Sequence, residues 1–361
     1  ILSSILSFLT LKDVAQTRTL SRRWRYLSTP QTLLHLDDLI VFGKRFSNTD
    51  ECTSKFVAAV DQLVLHRGIP HIGTLKVHFP LWNDYCLHIH RWVDSSITKN
   101  VEEIDFDFSD RLFLAPKDRE TYNFPCHLLP DPATTATRFR HLSLKACTFD
   151  LSSHFTNRLV CLGSLDLWNV PLCQSGLDTI LSCCLNLERL RLVDCFHRST
   201  NFLLRGQLLS LKTLIIDDSY VCDIDFTFVD VPLLKWLRLR QNCLNPSYQY
   251  ASDLPQIQYL SLTLHSQLDE SCEYGIPGTE VRDHHAHLYC HLKEVRIQDF
   301  TGGKNDMELA KCLLRKAVAL IQMVILLVGG PMTDARKRAM GRIRNVLRKE
   351  KINSKARLIA R

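Results

Sequence analysis

The sequence predicts an α/β protein whose main part is a solenoid of short repeats. Three observations predict it: an apolar pattern recurs at a near-constant step, amphipathic helices precede it, and a strand, a helix and a second strand follow it. A chain of 361 residues is long for one ordinary core. A solenoid accommodates this length because each repeat packs only on its neighbours.

The repeat has the form apolar-x-x-apolar-x-apolar and is clearest in 187–192 and 234–239. Its middle apolar residue serves as a marker, and the clear markers are Leu142, Leu165, Leu190, Leu214, Leu237 and Leu260, with steps of 23, 25, 24, 23 and 23 residues. Weaker copies lie at Leu75, Ile104 and Val295, at longer steps that imply insertions within 111–137 and 268–287. Leucine-rich repeats have this length, and each unit contributes a short strand. We therefore expect about nine stacked repeats in a horseshoe, rather than an ordinary α/β domain with leucines spaced by chance.

An Asn or Cys five residues past a marker is typical of such repeats, because its side chain can hydrogen-bond the turning backbone. Cys147, Cys195 and Asn242 occupy this position. The repeat thus explains some of the 14 cysteines structurally. No secretory signal is visible, so we expect a reducing compartment, the nucleus or cytoplasm. The longest apolar run, Ala317 to Val328, is too short to span a membrane.

The amino-terminal residues 1–27 predict two or three short amphipathic helices. Ile1-Leu-Ser-Ser-Ile-Leu-Ser-Phe-Leu-Thr-Leu-Lys-Asp-Val and Leu20-Ser-Arg-Arg-Trp-Arg-Tyr-Leu resemble an F-box that lacks its opening Leu-Pro pair. Since the chain begins inside this pattern without Met, we expect residues upstream. The resemblance implies docking on the Skp-type linker protein of cullin ubiquitin ligases. The residues implied for that interface are Ile5, Leu6, Leu9, Val14, Leu20 and Trp24. The alternative is a helical cap that shields the first repeat.

The carboxy-terminal part reads as a strand from Leu292, a turn at Gly302 and Gly303, a capped helix, and a second strand near Met323 to Leu327. It resembles the FBD module that ends many plant F-box proteins with leucine-rich repeats. From Pro331 onward, 11 Lys and Arg face two acidic residues, so the net charge of +7 belongs to this tail and gives little support for nucleic-acid binding. We interpret the tail as a solvated or frayed terminus, ahead of a nuclear-import signal or an anionic-surface contact.

The domains predicted from these patterns are an F-box without its amino-terminal end at 1–40, leucine-rich repeats at 60–290, an FBD-like terminal cap at 291–330 and a basic tail at 331–361. The resemblance implies a non-enzymatic adaptor of an SCF-type ubiquitin ligase, with a Skp-type linker, a cullin bound through it, and a target protein as partners. The alternatives are a repeat scaffold without ligase coupling and a ligase that carries ubiquitin on a thiol.

Catalytic motifs are absent from the sequence: we find no phosphate-binding glycine loop, nucleophile elbow or metalloprotease helix. We expect no catalytic residue, cofactor or metal. The cluster His284, His285, His287, Cys290 and His291 has zinc-ligand chemistry but lacks a second half, so a polar loop is favoured. Cys183 and Cys184 have no neighbouring base, which favours buried repeat cysteines over a nucleophile.

The face that would choose a partner follows from the two-residue period of a strand. Residues flanking the markers point away from the core, towards the concave face of the expected horseshoe. Trp, Tyr and Arg often dominate interface energy. The candidates for target binding are Trp168, Arg189, Arg191, Trp236, Arg238, Arg240 and Tyr259. They predict a target with an acidic and aromatic-accepting segment, although the same residues could simply shield the sheet.

Overall fold

The computed structural model describes residues 33–43, 50–65, 71–110, 119–133, 137–151, 153–196, 202–204, 208–218, 224–225, 231–241, 256–264, 289–328, 334–350 and 356–360. The chain divides into two compact units, residues 1–172 with 182–187, and residues 173–181 with 188–361. The predicted F-box helices, and with them Ile5, Leu6, Leu9, Val14, Leu20 and Trp24, lie outside the described residues. Asn242 and His284, His285 and His287 lie outside them as well.

Five parallel strands form the sheet of the first unit. Their order is β1 (Leu33–Asp37), β2 (Thr74–His78), β3 (Glu103–Asp107), β5 (His141–Lys145) and β7 (Ser164–Trp168). The small strands β4 (Asn123–Pro125) and β6 (Thr148–Asp150) pair with each other, and three 3-10 turns cover Asn83–Tyr85, Cys126–Leu128 and Ser153–Cys161. The helices are α1 (Asp38–Phe42), α2 (Asp50–Val64) and α3 (Cys86–Thr98).

Helices α2 and α3 are amphipathic, and their apolar faces are buried. Phe56, Val57, Val60 and Val64 recur at the helical period on α2, and Ile89, Trp92 and Val93 do so on α3. The ring of Phe56 stacks on Phe79, which follows β2, at 4.2 Å between centroids. The short helix α1 begins at Asp37, whose Oδ1 accepts a hydrogen bond from the Ile40 amide at 2.7 Å, and ends at Gly43 with φ of 74°.

Seven parallel strands form the sheet of the second unit. Their order is β8 (Arg189–Val193), β10 (Thr213–Asp217), β12 (Trp236–Gln241), β13 (Tyr259–Leu264), β14 (Glu294–Phe300), β15 (Gln322–Leu327) and β16 (Arg357–Ala360). A separate pair joins β9 (Phe202–Leu203) to β11 (Ile224–Asp225). The remaining helices are α4 (Gln174–Cys183), α5 (Lys304–Lys316) and α6 (Asp334–Arg348).

The predicted marker residues lie opposite one another in these sheets, one strand to the next. In the first unit the row is Leu34, Leu75, Ile104, Leu142 and Leu165. In the second unit it is Leu190, Leu214, Leu237, Leu260, Val295, Met323 and Leu358. From Leu34 to Met323 these side chains are buried. The pairing confirms the predicted repeat strands, and it adds strand β1, which the sequence pattern did not reveal.

The turn after several strands has a recurring backbone conformation. Ala146, Asn169, Asp194 and Asp299 each lie four residues past a marker and have φ between 48° and 54°. Cys147 follows Ala146 and Cys195 follows Asp194, and both cysteines are fully buried. The structural role predicted for these two cysteines is therefore confirmed by their burial, and the left-handed position before them was missed.

The strand, turn, helix and strand predicted after Leu292 are present as β14, Gly302–Gly303, α5 and β15. The amide and the hydroxyl of Thr301 both donate to Asp306 Oδ2, at 2.7 and 2.6 Å, and hold the start of α5. Gly302 has φ of 80°, and a Cβ there would lie 3.3 Å from Ile343 Cδ1 of helix α6. A residue without a side chain fits this turn best.

The interpretation of the tail as a solvated or frayed terminus is wrong for its described part. Helix α6 buries Ile343 and Leu347, and strand β16 extends the sheet beside β15. Glu350 Oε2 accepts a hydrogen bond from Arg315 Nε of α5 at 2.8 Å. These two buried apolar side chains among many cations were enough to specify a packed amphipathic helix. Among the described helices, none has the length and apolar character needed to cross a bilayer.

Candidate functional site

The outer face of the second sheet carries six of the seven predicted target-binding residues. Arg189 and Arg191 lie on β8, Trp236, Arg238 and Arg240 lie on β12, and Tyr259 lies on β13. Strand β10 pairs with both β8 and β12, and β13 pairs with β12. The structure therefore brings these six residues onto one continuous face, which we call the arginine face and define as the outward residues of β8, β10, β12, β13 and β14.

Two aromatic rings form a flat surface on the arginine face. Trp236 and Tyr259 are direct partners in the pairing of β12 with β13, and their rings stack at 5.0 Å with an interplanar angle of 26°. The Trp236 side chain is 45% exposed. An exposed, pre-stacked aromatic pair offers a large contact area at a low cost in side-chain entropy.

Asp217 lies beside two of the arginines and orients them. Arg238 Nη2 donates a hydrogen bond to Asp217 Oδ2 at 3.0 Å, and Arg240 Nη1 lies 3.1 Å from Oδ1 in an ion pair. Two guanidinium groups thus share one carboxylate, which leaves an excess positive charge. The Nε atoms of Arg238 and Arg240 are buried without a hydrogen-bond partner in the structure. The role of Asp217 as the anchor of both arginines was not predicted from the sequence.

The net charge of the arginine face is positive. Its outward positions carry Arg189, Arg191, Arg238, Arg240 and Arg296 against Asp217 and Glu294. Arg296 Nη2 and Glu294 Oε1 lie 3.7 Å apart, a loose and exposed pairing. Even with both acidic groups counted, the face carries about three excess positive charges, and this favours an anionic ligand.

Trp168, the seventh predicted residue, lies at the end of β7 in the first unit. Its side chain is 39% exposed, and Lys145 Nζ lies 5.6 Å from the centre of the indole ring, within the range of a cation–π contact. Asp107 Oδ2 accepts a hydrogen bond from the same ammonium at 3.4 Å. Trp168 therefore belongs to the outward face of the first sheet, and we treat that face separately.

The outward face of the first sheet holds a network of paired charges. Lys76 Nζ donates to Glu103 Oε1 at 2.8 Å, and Asp105 Oδ2 lies 3.2 Å from His78 Nε2. His35 Nε2 and His78 Nδ1 are 3.3 Å apart. Burial, followed by the charge of His78, lowers the pKa of His35. This network was not predicted as a site, because β1 and its His35 were not recognised as part of the sheet.

Opposing effects act on Asp105 at the centre of this network. Burial alone would raise the pKa of the Asp105 carboxyl, but its contacts with His78 and Ser143 and the charge of Lys145 lower it to about 2. Its anionic form is therefore stabilised in the fold. Because the carboxylates of β3 have cationic partners on β2 and β5, this face is largely compensated within itself, unlike the arginine face.

Two candidate places for chemistry on a thiol or a metal fall partly within the described residues: Cys183–Cys184, and the cluster that ends at Cys290 and His291. Cys184 is fully buried, and burial raises the pKa of its thiol, the opposite of what a nucleophile needs. Cys290 and His291 are exposed. In the described ranges, no group of three or more His, Cys, Asp and Glu side chains is arranged to hold a metal ion.

Two family models match the chain at the places where the sequence predicts two kinds of domain. The F-box domain model matches residues 1–36, and the model described as "At1g61320/AtMIF1, LRR domain" matches residues 64–219. The second range begins just before β2 and ends after β10, while strands with the same register continue beyond it.

Relatives from Arabidopsis thaliana carry the F-box in their names, and one of them names leucine-rich repeats as well. F-box protein At3g59000 is 28% identical over 67% of this chain, and F-box/LRR-repeat protein At3g59200 is 23% identical over 73%. An FBD-associated F-box protein, At1g61330, is 27% identical over 53%. The chain is therefore similar to plant proteins that carry an F-box and leucine-rich repeats.

The chain spans about half or less of the length of the relatives that it matches. The matched parts cover 50%, 47% and 38% of the three proteins above. The F-box match reaches residue 36 and so includes Leu33–Leu36, the first four residues of β1. The end of the F-box match and the first strand of the sheet thus coincide in sequence.

Proposed function

We propose that this protein is the substrate-recognition adaptor of an SCF-type ubiquitin ligase. In this proposal its F-box binds a Skp-type linker, and through it a cullin, while the outward residues of its repeats hold a target protein. The observation that carries the proposal is the F-box match at residues 1–36 ahead of repeats whose markers pair in register. The adaptor itself performs no bond chemistry and acts by bringing a target close to the ubiquitin-carrying enzyme.

The repeats support the proposed arrangement of a horseshoe. Parallel strands with a buried marker row place alternate side chains on a common outward face, and helices and turns return the chain between strands. We propose that this outward face is concave and that residues 291–330 form an FBD-like end of the repeat array. Helix α5 between β14 and β15 supports that assignment, because it repeats the strand-helix-strand unit at the carboxy-terminal side.

The test of ligase coupling is co-purification with a Skp-type linker protein. The wild-type chain is expected to bring the linker with it, and replacing Leu6 and Trp24 together with alanine is expected to remove the linker. A matched control replaces Ser4 and Arg25, polar neighbours in the same segment. If the wild-type chain does not bind the linker, the adaptor role fails and a repeat scaffold without ligase coupling takes its place.

The thiol-ligase alternative makes a different prediction. A ligase of that class would carry ubiquitin on a cysteine through a thioester bond, which thiol reductants cleave. Incubating the chain with ubiquitin and its activating and conjugating enzymes is expected to give no reductant-sensitive adduct. Formation of such an adduct would show that the chain takes part in the chemistry. We propose the nucleus or cytoplasm as its location, where a cullin ligase could be reached.

A further inference from the structure

The arginine face carries three arginines in one row across the strands. The register pairs Arg191 with Ile215, Ile215 with Arg238, Arg238 with Ser261, and Ser261 with Arg296. An arginine thus occurs on every second strand, on β8, β12 and β14. Adjacent strands lie about 4.8 Å apart, so successive arginines of this row are spaced by about 10 Å.

The two neighbouring rows differ from this one. Towards the amino-terminal ends of the strands lie the stacked rings of Trp236 and Tyr259. Towards the carboxy-terminal ends lie Asp217, which pairs with Arg240, and Thr263, which is 2% exposed. The carboxy-terminal row therefore holds one carboxylate and one guanidinium that pair with each other, whereas the amino-terminal row offers an exposed aromatic surface.

We propose that an acidic peptide segment of the target crosses the strands along the row Arg191, Arg238 and Arg296, with an aromatic side chain placed against Trp236 and Tyr259. This proposal rests on the proposed target-binding role and names the class of target. Asp217 acts as a positioning residue, because its carboxylate accepts a hydrogen bond from the guanidinium of Arg238 and pairs with Arg240 as well.

The spacing of the row limits which segments fit. In the polyproline II conformation every third residue lies on the same side, and the rise of about 3.1 Å per residue separates such residues by about 9 Å. An extended, proline-containing segment with an acidic residue at every third position would therefore meet one arginine after another. A run of adjacent acidic residues would place most of its charges between the arginines.

The experiment compares two fluorescent peptides of identical composition by fluorescence anisotropy with the full chain. In one, glutamate occupies every third position of a proline-rich segment that contains one tyrosine, and in the other the glutamates are adjacent. The first peptide is expected to bind more tightly by about fivefold or more. Equal affinities would overturn the proposed crossing of the strands.

A charge-matched pair of variants separates this row from the overall positive charge. The variant R191Q/R238Q/R296Q is expected to weaken binding of the spaced peptide by at least about tenfold, because interfaces concentrate their energy in a few arginine and aromatic anchors. The control R338Q/R342Q/R348Q removes the same charge from exposed arginines of α6 and is expected to change the affinity by less than about threefold. Equal losses in the two variants would contradict the proposal.

Two further arms complete the test. A DNA duplex is also titrated, and tighter binding of DNA than of the spaced peptide, lost in R191Q/R238Q/R296Q, would replace the acidic peptide with a nucleic acid as the ligand. Co-purification of the Skp-type linker is measured on the same variants. If the variant loses peptide binding but still binds the linker, the substitutions affect the target site alone. If the wild-type chain binds the peptide but not the linker, the acidic-peptide site is supported and the ligase role is contradicted.

Discussion

Trp92 of helix α3 donates a hydrogen bond from its indole Nε1 to Asp61 Oδ1 of helix α2 at 2.6 Å. The other oxygen of the same carboxylate lies 2.8 Å from His88 Nδ1. Trp92 is fully buried, so its N–H has no access to water. One carboxylate therefore fixes the register of two helices in the first unit and satisfies the polar atom of its largest buried side chain.

Replacing Asp61 with alanine is expected to destabilise the first unit by about 1–3 kcal/mol, because the buried indole N–H would lose its acceptor. Chemical denaturation followed by tryptophan fluorescence measures the change. The matched control is Gln62→Ala at the exposed neighbouring position of α2. In the W92F background the same Asp61 substitution should cost less, and an equal cost would argue against the hydrogen bond as the cause.

Replacing Ala146 with glycine is expected to stabilise the protein by about 0.5–1 kcal/mol. Ala146 has φ of 54°, a conformation that costs a residue with a Cβ about 1–2 kcal/mol and glycine almost nothing. Thermal denaturation measures the gain. Ala58→Gly in the exposed middle of α2 is the control and should instead cost about 1 kcal/mol. A loss of stability in A146G would show that the turn is relaxed with alanine.

The network on the first sheet predicts a pH dependence of stability. The pKa of Asp105 is lowered from 3.8 to about 2 in the fold, so its ionised form stabilises the fold above about pH 4. This contribution, on the order of 2 kcal/mol, is lost as the pH falls from about 4 towards 2. Denaturation at several pH values should show a weaker acid sensitivity in D105N than in the wild type. D84N, at an exposed carboxylate, should behave like the wild type.

Replacing Leu347 with alanine is expected to cost about 2–4 kcal/mol, because this side chain of α6 is fully buried. Val346, its neighbour, is 42% exposed, and V346A should cost less than about 1 kcal/mol. Denaturation measurements on both variants test whether α6 is packed as described. Equal and small effects would support the frayed tail that the sequence suggested.

Replacing Trp236 and Arg238 together with alanine is expected to abolish target capture and to leave linker binding intact. The reason is that the two residues supply the exposed ring and the anchored guanidinium of the arginine face. Affinity capture from plant extract with the proteasome blocked, analysed by mass spectrometry, provides the measurement. The control R342A/V346A removes a cation and an apolar side chain from α6. Unchanged capture by W236A/R238A would place the target site elsewhere.

The regular part of the fold could be predicted because the marker residues report a buried row directly. Strands β5 to β13 on the main sheets follow a step of 23 to 25 residues. Strand β1 was missed because only Leu34 and Leu36 fill the pattern there, and the residues before it resemble a helical domain. Helix α6 was misjudged because its cations outnumber its apolar residues, although Ile343 and Leu347 suffice to bury one side.

The candidate site was predictable in position and only partly in chemistry. Alternation on a strand determines which side chains share a face, so all seven residues were expected on one face, and six of them lie together on the second sheet. Which charges neutralise one another depends on distances between strands. The sharing of Asp217 by Arg238 and Arg240, and the contact of Asp105 with His78, are therefore visible only in the three-dimensional arrangement.

Strands β3 and β5 pair residue for residue, Glu103 with His141 and Ile104 with Leu142, although their markers are 38 residues apart. The long connection between β3 and β5 therefore leaves the register of the sheet unchanged. The entropic cost of closing a loop grows only slowly with its length. Insertions at such turns and substitutions at outward positions can therefore vary independently of the core. A scaffold of this kind can acquire new binding specificities through either kind of change without having to fold anew.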